Sequence, residues 1–291
     1  MTFQDFLTTR PQVVKMGGNT SKSLTLSTGS PPGLRPQLPT VLPYTHDCVA
    51  RFSSNSIIKF ADDTVVVGLI SDNDEKAYWE EVADLALWCQ DNNLLLNIKK
   101  TKELIVDFKR AHHPRTYTPL KINGDTVDRA SCFKYLGVHI SEDMTWTSHA
   151  AALVNKARQR LYYHRQLRKF RVSPRILQCF YSASVESILS GNITIWFGNC
   201  SAQDKKALQR LVRSAERTMG TTLAPLQELY IRRCNSRANK IMGDSFHPSN
   251  GLFQLLRSGK HLRCHAVKTE RMRRSFFPEA IRTVNSFLTR D

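Results

Sequence analysis

Nowhere in its 291 residues does the chain carry a run of about 18 apolar side chains, so no membrane-spanning helix is expected. The opening Met1-Thr2-Phe3-Gln4-Asp5-Phe6-Leu7 leads into no basic and then apolar stretch, so no secretory leader is expected either. No Cys-x-x-Cys pair occurs. The seven cysteines (Cys48, Cys89, Cys132, Cys179, Cys200, Cys234 and Cys264) are odd in number and scattered, which suits a reducing nuclear or cytoplasmic setting better than a disulfide scaffold. Also missing are internal repeats, a glycine-rich turn between a strand and a helix, and a His-x-Asp…His iron triad.

Acidic residues are scarce in one half only. Residues 1–150 hold 16 Lys+Arg against 17 Asp+Glu, whereas residues 151–291 hold 26 against 8, a net of +18 within a chain total of +17. A region so lopsided repels itself unless a polyanion lies nearby. Nucleic acid is therefore the expected partner, ahead of an anionic membrane surface.

Residues 27–43 carry five prolines, a density that neither a helix nor a central strand tolerates, and residues 1–55 are expected to be poorly ordered. From residue 56 the pattern sharpens. Ile57–Phe60 and Thr64–Gly68 read as two strands joined by the tight acidic turn Ala61-Asp62-Asp63. Ser71, Asp72 or Asp74 should cap a helix whose apolar positions are Tyr78, Val82, Leu85 and Cys89, ending at Asn92-Asn93. Leu94–Ile98 and Leu104–Phe108 read as short strands. Asn123-Gly124 signals a type I′ hairpin, and Cys132–Ile140 alternates as a further strand.

After Trp146 the pattern turns helical. Leu153, Ala157, Leu161, His164 and Leu167 form one stripe, with Lys156, Arg158, Arg160, Arg165, Arg168 and Lys169 elsewhere around it. Ser173-Pro174 should open a helix burying Ile176, Leu177, Phe180, Ala183 and Ile188 and stopping at Gly191. Ser201-Ala-Gln-Asp204 is a capping-box-like start for a third helix, through Leu208, Leu211, Val212 and Ala215 to Gly220. The predicted class is α+β: a mixed piece over 56–144, an all-helical basic piece over 145–220, and a basic tail over 221–291.

Adjacent aspartates at a hairpin tip are common in solvated turns. Two apolar strands would, however, hold Asp62 and Asp63 on a rigid, partly buried scaffold, where like charges repel unless a cation is present. Carboxylates with Mg²⁺ serve nucleotidyl transfer, the metal pair lying about 3.5–4 Å apart on the attacking and leaving oxygens.

Phe60-Ala61-Asp62-Asp63 resembles the Phe/Tyr-x-Asp-Asp box of reverse transcriptases, and the motifs that follow stand in the order of the LINE-type (non-LTR) retrotransposon family. Leu94-Leu-Leu-Asn97 with Lys100-Thr-Lys102 is similar to the motif whose lysine lies near the incoming triphosphate. Phe133-Lys134-Tyr135-Leu136-Gly137 looks like the primer-grip hairpin. The resemblance implies a partial palm followed by a thumb, an RNA template–primer duplex as partner, and Asp62 and Asp63 as ligands of Mg²⁺ or Mn²⁺. Lys100 becomes the motif lysine, and the cations from Lys156 to Lys169 become duplex contacts. The tail, with His247-Pro248 and Ser275-Phe-Phe-Pro278, is similar to the end of such proteins.

The family's third palm carboxylate stands about a hundred residues before the Asp-Asp pair, ahead of the first residue of this sequence. The resemblance therefore implies a polymerase remnant without catalysis. Across Pro32–Pro43 the family's Pro-Gln-Gly segment is replaced by residues close to what its codons give one base out of register, so two compensating indels are expected. A non-catalytic, basic RNA- or DNA-binding protein is the alternative. The stretch from about Thr145 to Trp196 also looks like the helical module at the N-terminus of AlkB-type tRNA dioxygenase–methyltransferases, which implies iron and 2-oxoglutarate chemistry that the missing iron triad argues against. His261, Cys264 and His265, with Cys234 or His247, have the residue types but not the spacing of a zinc site. Trp146, Trp196 and Phe197 read as core, as does one of Tyr162 and Tyr163.

Overall fold

β-branched runs on either side of the acidic turn pair with each other, as their alternation requires. A computed structural model of the chain describes residues 10–12, 15–16, 19–20, 22, 24–26, 45–108, 117–264 and 266–288. The proline-rich segment 27–43, with the proposed indel window, lies outside these residues, as does His265. The chain is α+β and divides into two compact units, Met1–Leu96 and Asn97–Asp291. Each is taken by itself.

In the first unit, β1 (Arg10–Gln12) pairs antiparallel with β4 (Leu24–Leu26), and β2 (Lys15–Met16) with β3 (Asn19–Thr20). The acidic hairpin follows as β5 (Asn55–Phe60) and β6 (Asp63–Gly68), with Phe60 opposite Asp63 and Ala61-Asp62 as the two-residue turn. Ala61 takes φ +53°, a left-handed conformation that costs an L-residue roughly 1 kcal/mol. Helix α1 (Lys76–Asp91) packs on one face of this hairpin. Gly68 is needed there, because a Cβ would stand 2.7 Å from the Tyr78 ring. Of the helix's predicted apolar positions, Val82 and Cys89 are buried, and Tyr78 and Leu85 are half-buried. The Lys76 N–H donates to Asp74 Oδ1 at 3.0 Å, so Asp74 serves the first turn.

The expected strand Leu94–Ile98 does not form. Asn93 is left-handed at φ +57°, its N–H reaches Gln90 O, and the Leu94 N–H reaches Cys89 O at 2.7 Å. This Schellman closure draws Leu94 into the end of α1 and leaves the apolar run with no strand to pair with.

In the second unit, Leu104–Phe108 is likewise not a strand. The pairing shifts to β7 (Lys102–Glu103), which runs parallel to β10 (Asp128–Arg129), and Arg129 forms an ion pair with the buried Glu103 at 3.1 Å. Asn123 and Gly124 turn β8 (Lys121–Ile122) into β9 (Asp125–Thr126) with φ +52° and +87°, as Asn-Gly predicts. Cys132–Ile140 is two strands and not one. β11 (Cys132–Tyr135) and β12 (Val138–Ser141) meet at Leu136-Gly137, both with positive φ.

Helix α2 (Thr147–Lys169) buries Ala157, Leu161 and His164 as predicted, with Leu153 and Leu167 half-buried against the core. The next helix differs from expectation. α3 (Pro174–Tyr181) leads into a π segment (Ser182–Glu186) and then α4 (Ser187–Ser190). The buried positions are Leu177, Tyr181, Val185 and Leu189, while Ile176 is exposed. A strict four-residue repeat drifts around an ordinary α-helix. The wider π turn absorbs that drift and keeps all four on one side.

α5 (Ile193–Trp196) then buries Trp196, whose Nε1–H donates to Gly191 O at 2.9 Å. α6 (Ala202–Met219) begins with the predicted cap, Ser201 Oγ accepting from the Asp204 N–H at 3.0 Å, and ends at Gly220 with φ +73°. The segment read as a basic tail is folded: α7 (Leu226–Gly243) and α9 (Phe276–Leu288), with the short α8 (Glu270–Arg273) before the latter, place Tyr230, Cys234, Ala238 and Ile281 in the same core.

Candidate nucleic-acid interface

The residues singled out by the sequence fall into both units. Asp62 and Asp63 belong to the first; Lys100, the Phe133–Gly137 hairpin and the α2 cations belong to the second. Asp62 sits in the β5–β6 turn. Asp63 opposes Phe60, on the face of the hairpin that α1 does not cover. Both carboxylates are exposed, as is Phe60, so the expected partly buried scaffold is not what surrounds them. The reason is packing: one helix covers one face of a two-stranded sheet, and the tip projects past it. Among the described residues no group of three or more His, Cys, Asp and Glu side chains is placed to hold a metal ion. The donor set at the turn is two adjacent solvated carboxylates, which does not make up a two-metal site.

Lys100 is exposed in a turn organised by Asn97, whose Oδ1 accepts the Lys100 N–H at 3.1 Å and whose carbonyl accepts Thr101 Oγ1 at 3.0 Å. The β11–β12 hairpin is held more firmly. Val138 is buried and Ile140 packs on the core, while Ser141 Oγ bridges Asp143 Oδ1 (2.6 Å) and Thr145 O (2.8 Å). Asn192 Nδ2 approaches Leu136 O at 3.4 Å, so the tip of the turn is tied to the start of α5. Lys134 points away from the core and is exposed.

All six cations predicted on α2 are exposed, and none makes an ion pair with an acidic side chain among the described residues. Helical spacing sorts five of them into two stripes and leaves Arg168 in neither. Arg158, Tyr162, Arg165 and Lys169 fall at i, i+4, i+7 and i+11; Lys156, Arg160 and Tyr163 fall at i, i+4 and i+7 on the other flank. Tyr162 and Tyr163 are 52% and 53% exposed, so neither is core, contrary to the expectation for one of them. Their rings meet edge to face with centroids 5.5 Å apart. Trp146, Trp196 and Phe197 are buried as predicted.

Beneath the stripes lie two buried histidines. His149 Nδ1 accepts the His139 N–H at 3.3 Å, and its ring stands edge-on to Trp196 at 5.1 Å. Burial, aided by the neighbouring His139, pushes the His149 pKa down to about 4, so the ring is neutral with its proton on Nε2. Burial also lowers the pKa of His164.

Two sets of functional side chains escaped the sequence reading. In the first unit Glu81 is buried, accepting from the N–H groups of Arg51 (2.9 Å) and Phe52 (3.1 Å) and from Asn55 Nδ2 (3.2 Å). Burial pushes its pKa up, and these donors more than offset it, so the carboxyl stays below its ordinary value. In the second unit α7 carries a row of cations. Its periodic apolar positions, Leu226, Leu229, Tyr230 and Cys234, were the signal that a helix lay there.

Among the described residues no helix is long and apolar enough to cross a membrane. The family model described as "Alkylated DNA repair protein alkB homolog 8, N-terminal" matches residues 146–187, which span α2, α3 and the π segment, well under half of the chain. No curated protein and no solved structure matches the chain.

Proposed function

We propose that this protein binds nucleic acid through the flanks of α2, as a non-extending remnant of an RNA-directed DNA polymerase of the non-LTR retrotransposon type. The observation that carries the reading is the set of six exposed α2 cations with no acidic partner among the described residues, interleaved with two exposed tyrosines. Unpaired cations along one helix raise the local positive potential, and phosphates relieve it with release of condensed counterions. Tyrosine faces add stacking that is tolerant of sequence. The polymerase ancestry rests on the order of motifs from Phe60 to Gly137. Binding is assigned ahead of nucleotidyl transfer because two solvated carboxylates are too few donors for the metal pair that the chemistry uses.

A titration of the full chain against a primer–template duplex over a range of salt, with a parallel extension assay containing Mg²⁺ and dNTPs, tests this. The logarithm of affinity should fall linearly with that of salt, and Arg158→Glu with Arg165→Glu should lessen the slope by about 2. Asp62→Ala should leave binding unchanged. Affinity insensitive to salt and to the α2 variants would overturn the reading; primer extension abolished by Asp62→Ala would restore an active polymerase.

The family-model match favours a second reading, a helix pair shared with alkB-homologue proteins. It concerns two packed helices whose histidines, His149 and His164, are buried in the core, and it brings no group of metal ligands with it. Turnover of 2-oxoglutarate with added iron would favour it.

A further inference from the structure

A second cationic surface lies on α7 and meets the α2 stripes at Lys156. Arg233, Arg237 and Lys240 stand at i, i+4 and i+7 on one side of α7, while Cys234, Ala238 and Ile241 go to the core. Across from them are the π segment and α4, and between the two runs a groove of about 690 Å³ whose far wall includes Glu186, Ser187 and Ser190. A smaller hollow of about 260 Å³ shares Ser187, Gly191 and Asn192 with it and continues to Gly137, His149 and Lys156. The two form one trough from the β11–β12 turn to the end of α7.

The chemistry of the walls fits phosphate. Four cations face one carboxylate, Glu186, which already accepts from Ser182 Oγ at 3.2 Å. Arg237 is fixed in place: its Nη1 donates to Thr194 Oγ1 at 3.0 Å, and its guanidinium lies 4.8 Å over the Phe276 ring. Arg233 and Lys240 form no ion pair among the described residues. Serines and Gly191 make the opposite wall low, so a backbone can come close. His149 supplies an independent sign, since its Nε2 is buried with no hydrogen-bond partner among the described residues. From Arg233 to Lys240 the helix rises about 10 Å. That exceeds the span of one phosphate and calls for more than one along a strand.

We propose that this trough binds the sugar–phosphate backbone of a single nucleic-acid strand, with Arg233, Arg237 and Lys240 as its phosphate ligands and the Gly137 turn at its other end. The proposal rests on the nucleic-acid reading of α2 and extends it from Lys156 to the cations of α7.

The test compares the full chain with Arg233→Glu/Lys240→Glu, with Ser190→Glu, and with Arg158→Glu/Arg165→Glu, by fluorescence anisotropy of a labelled single-stranded oligonucleotide over a range of salt. Circular dichroism checks folding, and Ser190→Glu adds a charge to the groove without removing a cation should the double variant misfold. Both groove variants should bind roughly tenfold more weakly, and the double variant should lose about 1.4 from the salt slope. Groove variants that bind like the parent while the α2 variant weakens would overturn the trough and leave the α2 reading standing. Absence of strand binding by the parent would overturn the trough, and the duplex titration decides the α2 reading separately. Inorganic triphosphate is the competitor: if it displaces the strand as well as an unlabelled oligonucleotide of many more phosphates does, the ligand is a free polyphosphate and the strand assignment falls.

Discussion

Among the described residues of the first unit the most deeply buried side chain is a carboxylate, Glu81; in the second unit the largest fully buried side chain is Trp196. The first unit sets few apolar groups, mainly Cys48, Val82, Ala86 and Cys89, around hydrogen bonds that tie the 51–55 segment to α1. Lys59 is used in the same way, its ammonium donating to Thr45 O and to Cys48 O at 2.7 Å. The second unit stacks aromatic rings, with Trp196, Phe197 and Tyr230 in a chain of centroids 5.7 and 5.3 Å apart. A core of the first kind depends on charge state. A core of the second kind depends on volume and on a buried ring, His149, staying neutral.

Removing volume from the second unit should have the largest effect. Trp196→Ala vacates the centre of the core and leaves Gly191 O unpaired, and should cost about 3–5 kcal/mol by urea denaturation. A loss below about 1 kcal/mol would deny that this ring organises the unit.

Acid should separate the units next. The folded pKa of His149 is lowered to about 4 from an ordinary 6.5, so the unfolded chain takes up its proton first. The second unit's stability is therefore full above 6.5 and declines as pH falls from there toward 4, by at most about 3 kcal/mol. Glu81 has a lowered pKa, so its contribution holds above the ordinary carboxylate range and is lost only as pH falls through its own lowered value. Hydrogen exchange resolved by segment should show α2 weakening between pH 6.5 and 5 while α1 keeps its protection. The reverse order would break the comparison.

A smaller effect is expected from Glu81→Gln, which keeps the shape but gives the Arg51 and Phe52 N–H groups a neutral acceptor. It should cost the first unit about 1–3 kcal/mol and flatten its stability at low pH. Ala61→Gly should have the least effect. Glycine accepts the left-handed turn, and the β5–β6 hairpin should gain at most about 1 kcal/mol in thermal unfolding.

Local rules carried the sequence reading well where a single residue decides the geometry. Asn123-Gly124 and Gly220 needed positive φ, and Ser201 needed a donor three residues on. The α2 stripe was legible because a 3.6-residue period is written into any amphipathic helix. The failures share a cause, the presence or absence of something distant in the chain. Leu94–Ile98 has strand-like residues but no strand beside it, and Glu81 reads as solvated until the 51–55 segment supplies its donors. Of the candidate site, the α2 cations and the acidic turn were visible as residues, and the exposure of the turn was not. The α7 cations were hidden in a segment whose charge density obscured its helical period.

The π segment has a consequence for the gene as well as for the fold. One residue of an ordinary α-helix is worth about 100° of rotation and 1.5 Å of advance. Losing a single codon between 182 and 185 would let the helix run on unbroken and put Leu177, Tyr181, Val185 and Leu189 at i, i+4, i+7 and i+11, still on one face. At this point in the chain a one-codon deletion is a milder lesion than the same deletion in α2 or α6, where nothing absorbs the roughly 100° by which every later side chain would turn.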